Sequence, residues 1–388
     1  GAISDAKEFL RTANSMRIIP SLDFGADIPD EFFDEADLLV GSAGTSVLVG
    51  GNASDNLAGS SDTTIIYGRG GNDTLTGGNS ADLLNGGDGN DVLDGMAGAD
   101  TLVGGAGDDT LGGTWGGTDW GSGAGNTYEG DAGNDVLRGT YGADTYLFNV
   151  GDGQDLIQEN AAATSNTDRI VLGGGIAASD VKVTRTGNDL ALNIGSNGDR
   201  ITVQNWYASS NYRVEQMQFA DGNTYNFQIG NSNADNLGGS TGNDFFFGDS
   251  GNDTLSGNAG DDLLDGGTGA DNMSGGTGND TFIVDDSNDI AIEAVGEGTD
   301  TLRSLVSFTL SPNVENLILT GSTAINGIGN TLDNTLTGNT ANNLLNGDSG
   351  NDAIIGNAGN DVLEGMDGDD TLSDTDGANL FNGGTGTD

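Results

Sequence analysis

The sequence predicts an all-β solenoid, built from short strands stacked at a fixed period. Three observations predict it. Glycine recurs every nine residues, at 41, 50, 59, 68, 77, 86, 95, 104 and 113. Five residues after each of the first eight comes a polar side chain: Ser46, Asp55, Thr64, Asp73, Asp82, Asp91, Asp100 and Asp109. Two further on comes an aliphatic one: Leu48, Leu57, Ile66, Leu75, Leu84, Leu93, Leu102 and Leu111. The composition also argues against an ordinary core, with 70 Gly, an apolar share of 34% and a net charge of −49. A tandem period of this length sets the architecture before any other feature is read.

Residues 1–40 stand outside the period. Ile3, Ala6, Phe9, Leu10 and Ala13 fall at helical spacing, Ser4 or Asp5 is placed to cap, and Glu8 lies three residues past Asp5. Together they predict a short amphipathic helix over about 4–17. Pro20 and Pro29 break the chain before the acidic, aromatic run 30–35. The segment reads as an N-terminal helical and acidic cap on the solenoid's open end, or else as the tail of an upstream domain.

The first array spans 41–139. It passes through an irregular stretch holding Trp115 and Trp120, then resumes at Gly130 with Asp135 and Leu137. Residues 140–229 form a β-rich insert, with alternating runs at 180–184, 190–194 and 201–207. The second array, 230–282, carries Asp235, Asp244, Asp253, Asp262, Asp271 and Asp280 above Leu237, Phe246, Leu255, Leu264, Met273 and Phe282. A second insert, 283–337, has strand-like segments around 301–310 and 316–319. The third array, 338–388, carries Asn343, Asp352, Asp361 and Asp370 above Leu345, Ile354, Leu363 and Leu372, and its frame reaches Asp388.

Charge and composition exclude several classes of partner. Lys and Arg total 11 against 60 Asp and Glu, so the dominant field repels phosphate and argues against nucleic acid. With no Cys there are no disulfides or thiolate sites. With no His the commonest transition-metal ligand and general base are missing. No apolar run is long enough to span a membrane. The chain opens at Gly1 and stops partway through a repeat, so it reads as a piece of a longer protein. What remains in bulk is hard oxygen, carboxylate and carbonyl, which suits Ca²⁺.

The repeat itself points the same way. In Gly86-Gly87-Asp88-Gly89-Asn90-Asp91-Val92-Leu93-Asp94 a six-residue turn precedes a three-residue strand, of which only the middle residue faces inward. Glycines allow positive φ and close backbone approach. One solenoid turn takes two units, so residues 18 apart stack at the strand spacing of about 4.8 Å. Asp73, Asp91 and Asp109 then form one column, with Asp82 and Asp100 in the opposite one. Like charges about 5 Å apart repel by roughly 3 kcal/mol at an effective dielectric near 20. A Ca²⁺ between adjacent turns converts that repulsion into coordination. The candidate ligands are Asp73, Asp82, Asp91, Asp100, Asp109, Asp135, Asp244, Asp253, Asp262, Asp271, Asp280, Asp352, Asp361 and Asp370. Asp55, Asp144, Asp235 and Asp388 are further candidates at the array edges. Only three of the basic residues, Arg69, Arg138 and Arg303, fall in or beside these segments, while Arg169, Lys182, Arg185, Arg200 and Arg213 lie in the first insert. EF-hand spacing fails, because Asp285-x-Ser287-x-Asp289 is followed by Ile290 where the turn needs Gly.

Units such as Gly104-Gly105-Ala106-Gly107-Asp108-Asp109-Thr110-Leu111 and Gly275-Gly276-Thr277-Gly278-Asn279-Asp280-Thr281-Phe282 resemble the RTX, or haemolysin-type calcium-binding, nonapeptide. Residues 144–219 look like the haemolysin-type calcium-binding related domain, and 300–337 resemble another linker of large RTX proteins. The resemblance implies a parallel β-roll with calcium between turns. It also implies type I secretion of an unfolded chain that folds outside the cell in millimolar calcium.

The expected function is therefore that of a calcium-binding region of a secreted or cell-surface protein. Its role would be structural or adhesive, as in an adhesin, S-layer or filament, with self-association or a surface ligand as partner. The alternative is the C-terminal scaffold of a type I-secreted protease, lipase, epimerase or toxin. Catalysis within the segment is not expected: Gly238-Gly239-Ser240-Thr241-Gly242 fits a nucleophile pattern, but it lies inside the repeat and no His exists to serve it. Trp115, Trp120, Trp206 and Tyr207 are assigned to packing ahead of sugar stacking.

Overall fold

A computed structural model describes residues 37–40, 45–113, 124–159 and 166–388. The chain divides into two compact units at Gly222/Asn223. Each is a stack of parallel strands in which consecutive strands alternate between two opposed ladders.

In the first unit, one ladder begins with Thr45–Val49, Thr63–Gly70, Leu83–Asp88 and Thr101–Ala106. It continues through Thr127–Ala132, Thr145–Phe148, Arg169–Leu172 and Gln216–Gln218. The facing ladder runs from Asn56–Ala58 through Thr74–Gly78, Val92–Met96, Thr110–Leu111, Val136–Arg138 and Gln154–Gln158 to Asp199–Val203. There the parallel order ends. Asp189–Ile194 and Val181–Thr186 add on as an antiparallel meander.

The chain's first described strand, Asp37–Val40, falls within the segment assigned to the N-terminal cap and pairs antiparallel with Thr45–Val49. Its Asp-Leu-Leu-Val run has no helical periodicity and meets an open ladder edge. The helix expected over 4–17 lies outside the described residues.

In the second unit one ladder runs from Thr224–Ile229 through Asp244–Phe247, Leu263–Asp265, Thr281–Val284, Thr301–Ser304 and Asn316–Leu319 to Thr335–Thr337, Ala353–Ile355 and Thr371–Ser373. Opposite it, Asn236–Gly238, Thr254–Ala259, Asn272–Thr277 and Ile290–Ile292 form one sheet. Phe308–Thr309, Gly327–Ile328, Leu344–Asn346, Val362–Asp367 and Leu380–Thr385 form the next. The stretch 283–337 thus supplies strands to the same ladder as the regular repeats on either side.

In most regular repeats one inward apolar side chain per strand makes the core, as alternation requires, and strands elsewhere bury a second two residues on, as with Phe148, Leu172, Val284 and Leu319. Leu75, Leu84, Leu93, Leu102 and Leu111 are fully buried, and so are Leu255, Leu264, Met273, Phe282, Leu302, Leu317 and Leu336. Tyr128 and Tyr146 take the same place farther along and stack with ring centroids 5.3 Å apart. Leu237 and Leu372, on ladder-end strands, are only half-buried. The helical elements among the described residues are two 3-10 turns, Ala178–Asp180 and Ser210–Tyr212. No helix among these residues is long and apolar enough to cross a membrane. Trp206 packs inside at 2% exposure, and the Arg185 guanidinium lies 4.1 Å from the Tyr207 ring centre. Trp115 and Trp120 fall outside the described residues.

Candidate metal centre

The sixth residue of each unit sits where the turn enters the strand, and there the aspartates are buried. Asp73, Asp91, Asp100, Asp109, Asp135, Asp253, Asp271, Asp280 and Asp361 are each 1% exposed. A hydrogen-bonded column holds them. The Asp73 N–H donates to Oδ1 of Asp91 at 2.7 Å, and the Asp91 N–H to Oδ1 of Asp109 at 2.7 Å. Asp82 N–H donates likewise to Asp100, Asp253 to Asp271, Asp262 to Asp280, and Asp352 to Asp370. Each carboxylate thereby caps the strand start of the preceding turn, using one of its two oxygens.

The fate of the other oxygen divides the turns into two kinds. In the open kind, Oδ2 is buried and accepts no hydrogen bond. This holds for Asp73, Asp91, Asp100, Asp109, Asp135, Asp253, Asp262, Asp271, Asp280, Asp352, Asp361 and Asp370. In the self-capped kind, the N–H of the turn's second residue donates to it. Gly78 donates to Asp82 at 2.5 Å, Ser240 to Asp244 at 2.7 Å, Gly51 to Asp55 at 2.7 Å, Thr140 to Asp144 at 2.6 Å and Asn231 to Asp235 at 2.6 Å.

The backbone of that second residue decides between them. In open turns it takes positive φ, as in Arg69 (81°), Gly87 (105°), Met96 (66°), Asp249 (78°), Asn258 (75°) and Met366 (77°), so its N–H turns away from the carboxylate. In self-capped turns it does not. Open turns carry glycine as fourth residue. Self-capped ones carry Ala53, Ser80 or Asn233, or Gly142 or Gly242 without positive φ.

An orphaned buried carboxylate oxygen signals a missing partner, and the surroundings identify its chemistry. A β-carbon added to Gly86 would collide with Oδ2 of Asp91 and with the carbonyl oxygen of Gly104, one turn on. Gly68 has the same relation to Asp73 and Gly86, Gly257 to Asp262 and Gly275, and Gly365 to Asp370 and Gly383. The leading glycine of the repeat is required because oxygens from two turns converge where a side chain would begin. Carboxylate and carbonyl oxygens meeting without a hydrogen-bond donor are the ligand set of Ca²⁺. The residues present fit that ion.

Electrostatics carries the same message. In the calcium-free fold, burial pushes Asp91 up to about 6, Asp100 to about 7, and Asp109 and Asp135 to about 8. Backbone N–H donors offset part of the shift, and neighbouring aspartates add to it. Free aspartate titrates near 3.8. The calcium-free fold therefore holds more protons than the unfolded chain between about pH 4 and about pH 8, and loses stability as pH rises through that window. Calcium must displace those protons. The unfolded chain already carries its aspartates ionised above about pH 5, so the calcium midpoint for folding is expected to change little between about pH 5 and about pH 8 and to rise as pH falls through about 4, read by circular dichroism at each pH. A midpoint that fell steeply between about pH 5 and about pH 8 would contradict the assignment.

Sequence periodicity missed several members of the columns. Asp155 and Asp168 continue those of the first unit, accepting from the N–H of Asp135 at 3.0 Å and of Asp144 at 2.8 Å. Asp289 and Asp300 continue those of the second, accepting from Asp271 at 2.9 Å and Asp280 at 2.8 Å. Each is an acidic residue two before an inward apolar one, a signal that was present once the nine-residue count was dropped. It also explains the failed EF-hand, since Asp289 is the sixth residue of a roll turn. Ser240 has a structural place too: its hydroxyl donates to Oδ2 of Asp244 at 2.9 Å.

With this geometry in hand, comparison with known proteins gives three findings. The model of the RTX calcium-binding nonapeptide repeat matches residues 33–66, 59–93, 85–117, 120–156, 229–264, 265–291, 328–363 and 355–388, more than half the chain. The haemolysin-type calcium binding protein related domain matches 189–228, within the first insert. A solved structure, the crystal structure of extracellular lipase LipA from Serratia marcescens, is similar at 17% identity and a TM-score of 0.18, over 68% of this chain and 33% of that one. The chain thus spans about a third of that structure's length. No curated protein matches.

Proposed function

The chain belongs to the RTX calcium-binding nonapeptide repeat family, and from that premise we propose that its open aspartates hold Ca²⁺ between successive turns of a β-roll serving a secreted or cell-surface structural and adhesive role. The observation that carries the reading is the run of buried carboxylate oxygens without partners, with a glycine carbonyl of the next turn beside those of Asp73, Asp91, Asp109, Asp253, Asp262, Asp352 and Asp370. The self-capped residues Asp55, Asp82, Asp144, Asp235 and Asp244 act as turn closers and need no ion for that oxygen.

The structural and adhesive role rests on what the residues leave for chemistry. The sequence has no His to serve a nucleophile, and Ser240 is engaged in closing a turn. Aspartates and asparagines crowd the outward positions, where calcium can bridge one acidic surface to another. A site of carbonyls and single carboxylates suits the affinity range of extracellular calcium modules, which supports a role outside the cell. Sedimentation velocity tests the role. Larger species are expected in millimolar calcium and should revert on chelation; a monomer under both conditions would overturn it.

A further inference from the structure

Two places replace the leading glycine in the same way. The runs Asp155-Leu156-Ile157-Gln158-Glu159 and Asp289-Ile290-Ala291-Ile292-Glu293 each put a glutamate where the regular repeat has the first glycine of the next turn. A Thr-Asp pair then opens the following strand, at Asp168 and Asp300. The outcome is one buried three-carboxylate cluster in each unit: Asp144, Glu159 and Asp168 in the first, Asp280, Glu293 and Asp300 in the second. Within each, one oxygen per residue lies within 4.8 Å of the others. Oxygens bound to one Ca²⁺ at about 2.4 Å stand at most about 4.8 Å apart, so either cluster has the span of a single coordination sphere.

Hydrogen bonding separates the two. In the first cluster protein donors meet the carboxylates. The Thr140 hydroxyl reaches Asp144 at 3.2 Å, the Asn166 amide reaches Asp168 at 3.1 Å, and the Tyr146 hydroxyl donates to Glu159. In the second cluster the residue matching Tyr146 is Phe282, two past the aspartate in both cases and without a hydroxyl. Oδ2 of Asp280 and Oε2 of Glu293 are buried there with no partner. Asp280 is 1% exposed and Glu293 8%. The Gly275 N–H fixes the other Glu293 oxygen at 3.0 Å, and the Asp280 N–H fixes Oδ1 of Asp300 at 2.8 Å.

We propose that Asp280, Glu293 and Asp300 form a calcium site of a second kind, in which the Glu293 carboxylate stands in for the glycine carbonyl, and that in the first unit the Tyr146 hydroxyl fills the matching place instead of an ion. Calcium affinity rises with the charge on the ligands, so the three-carboxylate site binds more tightly than the regular turns and releases its ion last. The inference rests on the calcium reading of the repeats.

The test compares wild type with Glu293→Gln, Glu159→Gln and Phe282→Tyr, counting ions per chain and their affinities by equilibrium dialysis with radioactive calcium. Glu293→Gln is expected to bind one ion fewer in the tightest class, or to weaken that class at least about tenfold. Glu159→Gln should match wild type. Phe282→Tyr brings the first unit's hydroxyl to Glu293; it should lose the same ion while circular dichroism shows the roll intact, so it decides the matter even if Glu293→Gln fails to fold. The proposal is overturned if Phe282→Tyr, or a folded Glu293→Gln, keeps the full complement at wild-type affinity. It is overturned equally if Glu159→Gln loses an ion. A wild-type chain that binds no calcium would instead refute the reading of the repeats.

Discussion

Chelating calcium is expected to erase the β-structure of the chain. The columns place buried carboxylates on successive turns, and like charges at that spacing of about 5 Å repel by roughly 3 kcal/mol per neighbouring pair. One inward apolar residue per strand contributes on the order of 2 kcal/mol, against the ordering of nine backbone residues. The orphaned oxygens of Asp91, Asp100 and Asp109 receive no compensating hydrogen bond. Far-UV circular dichroism through a calcium titration should show strand signal arising cooperatively and vanishing with chelator. Magnesium should not substitute, because it demands near-ideal octahedral geometry and gives up water reluctantly. Asp91→Ala combined with Asp109→Ala should raise the calcium midpoint. A spectrum indifferent to calcium would sink the central assignment.

The second large effect concerns a matched pair of glycines, each the fourth residue of its unit and one turn apart. Gly260 lies in an open turn at φ +115°, where a β-carbon would come within 2.6 Å of the Gly242 carbonyl carbon and 2.7 Å of the Asn243 nitrogen. Backbone cannot yield as a flexible side chain does, so Gly260→Ala forces two stacked turns apart. It is expected to cost on the order of 3 kcal/mol, at the upper end for backbone strain, and to uncouple the Asp262 site. Gly242 lies in a self-capped turn without positive φ, and its β-carbon would meet nothing nearer than the Ser240 hydroxyl at 4.0 Å. Gly242→Ala should fold at wild-type calcium. Thermal unfolding in saturating calcium separates the two, and equal melting temperatures would refute the distinction between turns.

The ladder and the regular aspartates were legible because the roll repeats its chemistry at the period at which it stacks. Spacing of 18 between Asp73, Asp91 and Asp109 in the sequence is the spacing of their hydrogen bonds. Legibility failed where loops leave the ladder. Asp109 meets Asp135 across 26 residues, Asp168 meets Glu215 across 47, and Asp300 meets Glu315 across 15, yet the strands stay in register. A ladder constrains only the residues it pairs, so an excursion of any length is allowed between turns. The division into open and self-capped turns was hidden for another reason. Gly78, Ser240 and Asn231 allow more than one value of φ, so Asp82 and Asp244 look like their neighbours in sequence while their second oxygens are already taken.

The column of N–H to Oδ1 bonds also has an arrow. The N–H of Asp73, Asp91 or Asp109 donates to the side chain of the turn that follows, never to that of the one before it, and the glycine carbonyl facing Oδ2 of these residues likewise belongs to the later turn. For its side-chain and ion contacts, a turn is therefore complete only when its successor is in place. A cut inside an array should be asymmetric in its damage, falling hardest on the fragment that lost its later turns, whose last aspartate N–H and open Oδ2 are left without partners.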